Sequence, residues 1–129
     1  MIYHYNKLVR DKIPTEINTK EGRKANWRIL KEEEYIEQLD KKLLEEVHEF
    51  IEAHDEEELA DVIEVIEAIV KAKNIKIEEV REKQKRKRER KGSFNNRVYL
   101  EFVEESKRNI EEEKELNKQW RNGRIDSER

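Results

Sequence analysis

The sequence predicts an all-α protein: an antiparallel helix bundle with an irregular N-terminal segment, completed by oligomerisation. Three observations carry this expectation. The 129 residues include only three Gly and one Pro, too little turn chemistry for a set of β-hairpins. Glu, Lys, Arg, Leu and Ile dominate, and these favour helix. With 47% charged against 34% hydrophobic residues, the apolar supply is thin for a monomeric core, which argues for self-association as a homodimer or homotetramer. One domain spanning 1–129 is expected, since neither an internal repeat nor a linker is visible.

Residues 1–30 are irregular by pattern. Pro14 suits the first turn of a short helix ending near Gly22, and Asn26 to Leu30 suits an extended run. From about Lys31 to His54 the apolar residues Ile36, Leu39, Leu43, Val47, Phe50 and Ile51 recur at helical spacing. Asp55 is a good N-cap for the next helix, and Glu56, Glu57 and Glu58 fall in its first turn, where the helix dipole favours negative charge. That helix runs to about Lys73 with Leu59, Val62, Ile63, Val65, Ile66, Ile69 and Val70 on a broad arc, and Asn74 is a plausible stop. A further helix spans about Ile77 to Lys91 and closes at Gly92. A turn at Ser93 to Arg97 leads into Val98, Tyr99 and Leu100, residues 101–120 form another charged helix, and 122–129 form a frayed tail.

Cysteine is absent, which removes disulfides, thiolate metal sites and a Cys nucleophile. No apolar run approaches the roughly 18 residues of a membrane span, and the N-terminus lacks a signal-peptide hydrophobic stretch. A soluble, cytoplasmic protein without a membrane partner is expected.

Net charge is −3, but its distribution is polar. Residues 31–67 carry sixteen acids against Lys31, Lys41 and Lys42, net −13, whereas residues 81–91 carry eight bases against Glu82 and Glu89, net +6. The first stretch suits divalent cations and the second suits anions. Two patterns stand out: Glu45, Glu46 and Glu49 in one helix, and Glu58 with Asp61 in the next. Spacings of three and four bring side chains to one face. With Leu43 at zero and about 100° per residue, Glu46 falls near 300° inside the apolar arc and Glu49 near 240° on its edge. With Leu59 at zero, Glu58 falls near 260° and Asp61 near 200°, again within the apolar arc. Carboxylates on a packing face demand a compensating cation or donor. Four oxygen ligands from two antiparallel helices suit Mg²⁺ or Mn²⁺. Asp40 also lies within the first arc, so a solvated acidic surface stands beside the metal site as a second reading.

The residues Lys7-Leu8-Val9-Arg10-Asp11-Lys12-Ile13-Pro14, the Glu45-Glu46-x-x-Glu49 and Glu58-x-x-Asp61 pairs, Lys87, and the Gly92-Ser93-Phe94-x-x-Arg97 turn together resemble the MazG-like all-α nucleoside triphosphate pyrophosphohydrolases. More narrowly they resemble the small single-domain members often labelled phosphoribosyl-ATP pyrophosphohydrolase-like. The likeness covers about residues 5–100; residues 101–129 lie beyond it, as a charged extension without a catalytic role. Lys91 and Ser93 depart from it, standing where Arg and Gly are commoner.

The resemblance implies Mg²⁺-dependent cleavage of a nucleoside triphosphate between its α and β phosphates, giving a monophosphate and pyrophosphate. Carried over by position, Glu46, Glu49, Glu58 and Asp61 are the metal ligands, and Glu45 is a further ligand or the group that orients the attacking water. Lys7, Arg10 and Lys12, with Lys87, Arg90 and Arg97, are the candidate phosphate contacts, Arg being suited to bidentate engagement. Phosphoribosyl-ATP is an alternative substrate. From another class, a helical nucleic-acid-binding or scaffold protein gripping backbone through residues 81–91 is the less favoured alternative, because basic runs in a net acidic chain are commonly solvated. His4, His48 and His54 are expected to be bland, Trp27 to fill a hydrophobic gap or, as the less favoured reading, to stack on a base, and Trp120 to touch a partner subunit or lie partly exposed.

Overall fold

A computed structural model describes residues 1–105 and 110–121. Among these the chain is all-helical, without a strand: α1 (Ile13–Lys20), α2 (Glu32–Ala53), α3 (Glu56–Ala72), α4 (Ile77–Lys91) and α5 (Ile110–Arg121). The backbone falls into two compact units, Met1–Gly92 and Ser93–Arg129.

In the first unit, Pro14 enters the first turn of α1, where its missing N–H costs nothing. Gly22 takes a positive φ of 64° after the helix ends, and Asn18 Oδ1 accepts the Ala25 N–H at 2.8 Å, which turns the chain toward α2. Residues 23–31 have no regular structure, so the expected extended run forms no strand. α2 ends where His54 adopts the left-handed conformation and its N–H reaches the Phe50 carbonyl at 2.7 Å. Asp55 then caps α3, its Oδ1 accepting the Glu58 N–H at 2.9 Å. The two-residue connection folds α2 and α3 into an antiparallel hairpin, the packed pair of the unit. α3 closes in a Schellman motif: Asn74 sits at φ 53°, its N–H donates to the Lys71 carbonyl, and the Ile75 N–H donates to that of Val70. α4 stops at Gly92, whose φ of 91° is costly for an L side chain.

Packing is restricted to one seam. Among the described residues only Leu39, Glu46 and Val65 are buried. On α2, Leu39 and Glu46 lie near about 320° and 300° on the wheel, whereas Leu44 and Ile51, at about 100° and 80°, are exposed, as is Asp40 at about 60°. On α3, Val65 at about 240° is buried between the directions of Glu58 and Asp61, while Leu59, Ile63 and Ile66 are exposed. The expected apolar arcs are therefore too wide on their Leu44 and Ile63 sides. One neighbouring helix covers only part of an arc, and the covered part is the one bearing the acids. Every residue from 73 to 105 is exposed, α4 included. No helix of the described residues is long and apolar enough to cross a membrane.

In the second unit, the Arg97 N–H closes a turn on the Phe94 carbonyl at 3.1 Å. Residues 98–105 then run without regular structure, so the helix expected over 101–120 does not include 101–105, and it is described over Ile110–Arg121. Val98, Tyr99, Phe102 and Val103 explain the irregular run, since β-branched and aromatic residues lose rotamer freedom in a helix. Residues 122–129, expected to fray, and the side chain of Trp120 lie outside the described residues. Trp27 is exposed rather than filling a gap. His48 points away from the hairpin seam toward Glu52, at 3.2 Å, in line with a bland role.

Candidate metal centre

The hairpin brings Glu46 from α2 together with Glu58 and Asp61 from α3, one carboxylate oxygen of each lying within 4.8 Å of the others. The cause is local. Asp55 fixes the first turn of α3, which carries Glu58, and a three-residue step sets Asp61 on the same side one turn on. Glu46 is 7% exposed and is the only buried charged residue described. Glu46 Oε2 and Glu58 Oε2 are buried without a hydrogen-bond partner. Two bare carboxylate oxygens at a helix seam are costly, and an oxygen-seeking cation is the group that would satisfy both.

Three cations from the chain close on this cluster. Lys42 Nζ lies 3.1 Å from Glu46 Oε1 and 3.4 Å from Glu45 Oε2, on a side chain only 16% exposed. Lys7 Nζ donates to Glu45 Oε1 at 3.0 Å, and Arg10 Nη2 donates to Asp61 Oδ1 at 2.6 Å. The N-terminal segment is thereby tied to both helices of the hairpin. The acids about the focus, Glu45, Glu46, Glu49, Asp55, Glu58 and Asp61, outnumber the bases Lys7, Arg10 and Lys42, so the region carries a net negative charge.

The proton affinities follow from these contacts. Burial raises the Glu46 carboxyl above its ordinary value; Lys42 opposes this, and the charges of Glu49 and Asp61 add to it. Glu58 is raised by burial and then by the charges of Glu49, Asp55, Asp61 and Glu46. For Glu45 burial also acts upward, but the hydrogen bond from Lys7 and the charges of Lys42 and Lys7 outweigh it and hold the carboxyl below its ordinary value. The bond to Glu45 raises Lys7 in turn, against burial. One carboxylate is thus kept ionised beside two that resist ionisation, as expected of a site built to receive positive charge.

The candidate residues divide accordingly. Glu46, Glu58 and Asp61 meet at one focus. Glu49 is half-buried and stands outside that triad, acting on Glu46 and Glu58 through its charge. Glu45 flanks the focus, paired with Lys7 and Lys42. Lys12 is exposed at the N-cap of α1, where its carbonyl accepts the Glu16 N–H at 3.0 Å. Lys87 and Arg90 stand at exposed positions on α4, and Arg97, at φ 57°, belongs to the second unit. Sequence reasoning overlooked Lys42. Its place three and four residues before Glu45 and Glu46, at about 260° on the wheel, is the signal that would have found it.

Compared with known proteins, the chain matches no family description, no curated protein and no solved structure.

Proposed function

We propose that the chain is a divalent-cation-dependent nucleotide pyrophosphohydrolase of the MazG-like kind, cleaving a nucleoside triphosphate to a monophosphate and pyrophosphate. The observation that carries this reading is the triad of Glu46, Glu58 and Asp61 with two buried, unpartnered carboxylate oxygens. An all-oxygen donor set suits the hard cations Mg²⁺ and Mn²⁺. Glu46, Glu58 and Asp61 would hold the ion, with Glu49 supporting it by charge. When bound, such an ion polarises phosphoryl oxygens and makes water more acidic.

The chain's own groups supply the rest. Glu45, held ionised by Lys7, is the acceptor that orients the attacking water. Lys7 and Arg10 border the triad at two points, and their charges suit the phosphates of the substrate. Lys12, Lys87, Arg90 and Arg97 remain candidates for phosphate contact on the family likeness alone. The exposed apolar residues of α2 and α3 support self-association as a homodimer or homotetramer. The reading implies a cytoplasmic protein, where nucleotides and Mg²⁺ meet.

The test is product analysis on a panel of nucleoside triphosphates and phosphoribosyl-ATP, with Mg²⁺ and with EDTA. Pyrophosphate and monophosphate released only with the metal are expected. Inorganic phosphate as the sole product, or no turnover across the panel, would count against the reading, and preference for phosphoribosyl-ATP would assign the alternative substrate.

A further inference from the structure

Two cations each occupy one oxygen of a triad carboxylate. Lys42 Nζ contacts Glu46 Oε1 at 3.1 Å, while Oε2 of the same side chain is buried and bare. Arg10 Nη2 holds Asp61 Oδ1 at 2.6 Å. Lys42 is itself fixed, because Glu45 Oε2 lies 3.4 Å from the same nitrogen and the side chain is 16% exposed. A largely covered ammonium is stabilised by pairing of this kind.

We propose that Lys42 and Arg10 are specificity-determining positioning residues: by engaging one oxygen of Glu46 and one of Asp61, they restrict each to single-oxygen donation and so set the centre for Mg²⁺ and Mn²⁺ against Ca²⁺. The inference rests on Glu46, Glu58 and Asp61 being metal ligands. Its chemical basis is the difference between these ions. Ca²⁺ takes about six to eight oxygens and readily uses both oxygens of a carboxylate, whereas Mg²⁺ is held by one or two carboxylates in near-octahedral geometry and keeps much of its shell for water and phosphate. Two of the three carboxylates held to one oxygen each leave Ca²⁺ short of ligands. They leave the smaller ions room for substrate. A donor already hydrogen-bonded to the second oxygen is what prevents a carboxylate from turning to donate both.

The experiment measures Mn²⁺ binding to the full chain by electron paramagnetic resonance, with Ca²⁺ and Mg²⁺ as competitors, in wild type, Lys42→Met, Lys42→Arg, Arg10→Met and Glu46→Gln. Wild type should favour Mn²⁺ and Mg²⁺ over Ca²⁺. Lys42→Met and Arg10→Met, which remove the donor, should each move the preference toward Ca²⁺ by about tenfold, the scale on which groups supporting a ligand act. Lys42→Arg, which keeps a donor, should restore most of the preference. Arg10 is exposed, so its variant carries the test even if Lys42→Met folds poorly. An unchanged preference in Arg10→Met, with Mn²⁺ binding lost in Glu46→Gln, overturns the positioning role and leaves the ligand reading standing. Full Mn²⁺ binding in Glu46→Gln overturns both.

Discussion

Glu46 combines the features on which its proposed role as a ligand rests: 7% exposure, one oxygen held by Lys42, one bare, and a proton affinity raised by burial. A raised value means that the surroundings, taken together, disfavour the charge in the absence of a metal. Glu46→Gln keeps an acceptor for Lys42 and removes that charge, and Lys42 retains Glu45. Metal-free Glu46→Gln is therefore expected to match or exceed wild type in urea unfolding, while losing divalent-metal binding and turnover. Destabilisation with activity retained would contradict a ligand role. The same shift fixes a pH dependence. Glu46 and Glu58 both titrate above their ordinary value of 4.5, so in EDTA the folded state binds protons more readily than the unfolded chain between that value and the raised ones. The penalty from these two groups is absent below about pH 4.5, grows as pH rises through their folded values, and is complete above them. Glu45 acts with the opposite sign: its contribution is present above 4.5 and is lost as pH falls below it. Melting temperature in EDTA should therefore rise for wild type relative to Glu46→Gln as pH is lowered from neutral toward 5. A constant difference between the two proteins would show that Glu46 does not titrate as described.

At the scale of the element, the caps hold the site together. The Asp55 side chain accepts the Glu58 N–H at 2.9 Å and so fixes the first turn of α3, on which Glu58 stands. Asp55→Ala should cost about 1 kcal/mol in denaturant unfolding and, on the proposed ligand set, also weaken Mn²⁺ binding, because a frayed first turn would misplace Glu58, one of the three proposed ligands. Asp55→Ser, which restores an acceptor, should recover most of both; metal binding untouched by Asp55→Ala would separate the cap from the site. Caps such as Asp55, Asn74 and Gly92 were legible in the sequence because their chemistry is local, and the predicted boundaries of α2, α3 and α4 agree with the structure to within a residue or two. The rotation of each helix was not legible. Both Asp40 and Glu46 fell within one apolar arc, and which of them is buried depends on where the neighbouring helix sits, a non-local matter. The same reason accounts for Trp27, whose environment no short-range pattern sets, and for Lys42, whose significance appears only once Glu46 is known to be inside. Residues 101–105 were missed differently: a charged helix was expected over 101–120, but Phe102 and Val103 are residues whose rotamer entropy opposes helix, and 101–105 run without regular structure.

For the whole molecule, the decisive quantity is how little is inside. Leu39 and Val65 are the buried hydrophobic residues described, while Leu44, Ile51, Leu59, Ile63 and Ile66 on the same hairpin are each at least 42% exposed. Folded domains hold a net stability of about 5–15 kcal/mol as a small remainder after conformational entropy, and one helix seam offers too little burial to reach it. Under the proposed self-association, a second copy on the free apolar flanks would supply what is missing, since each buried Ile contributes about 1.5–3 kcal/mol and a two-fold interface counts it twice. The chain is therefore expected to scatter light as a dimer or tetramer at micromolar concentration, with a melting temperature that rises with protein concentration. Ile63→Asp places a charge on the exposed flank of α3, away from the side bearing Glu58 and Asp61. It should shift the population toward monomer and lower the melting temperature, and added Mn²⁺ should recover part of the loss if the triad survives in the monomer. A wild-type monomer whose melting temperature is independent of concentration would mean that the hairpin stands on its single seam, and the exposed isoleucines would then need another explanation.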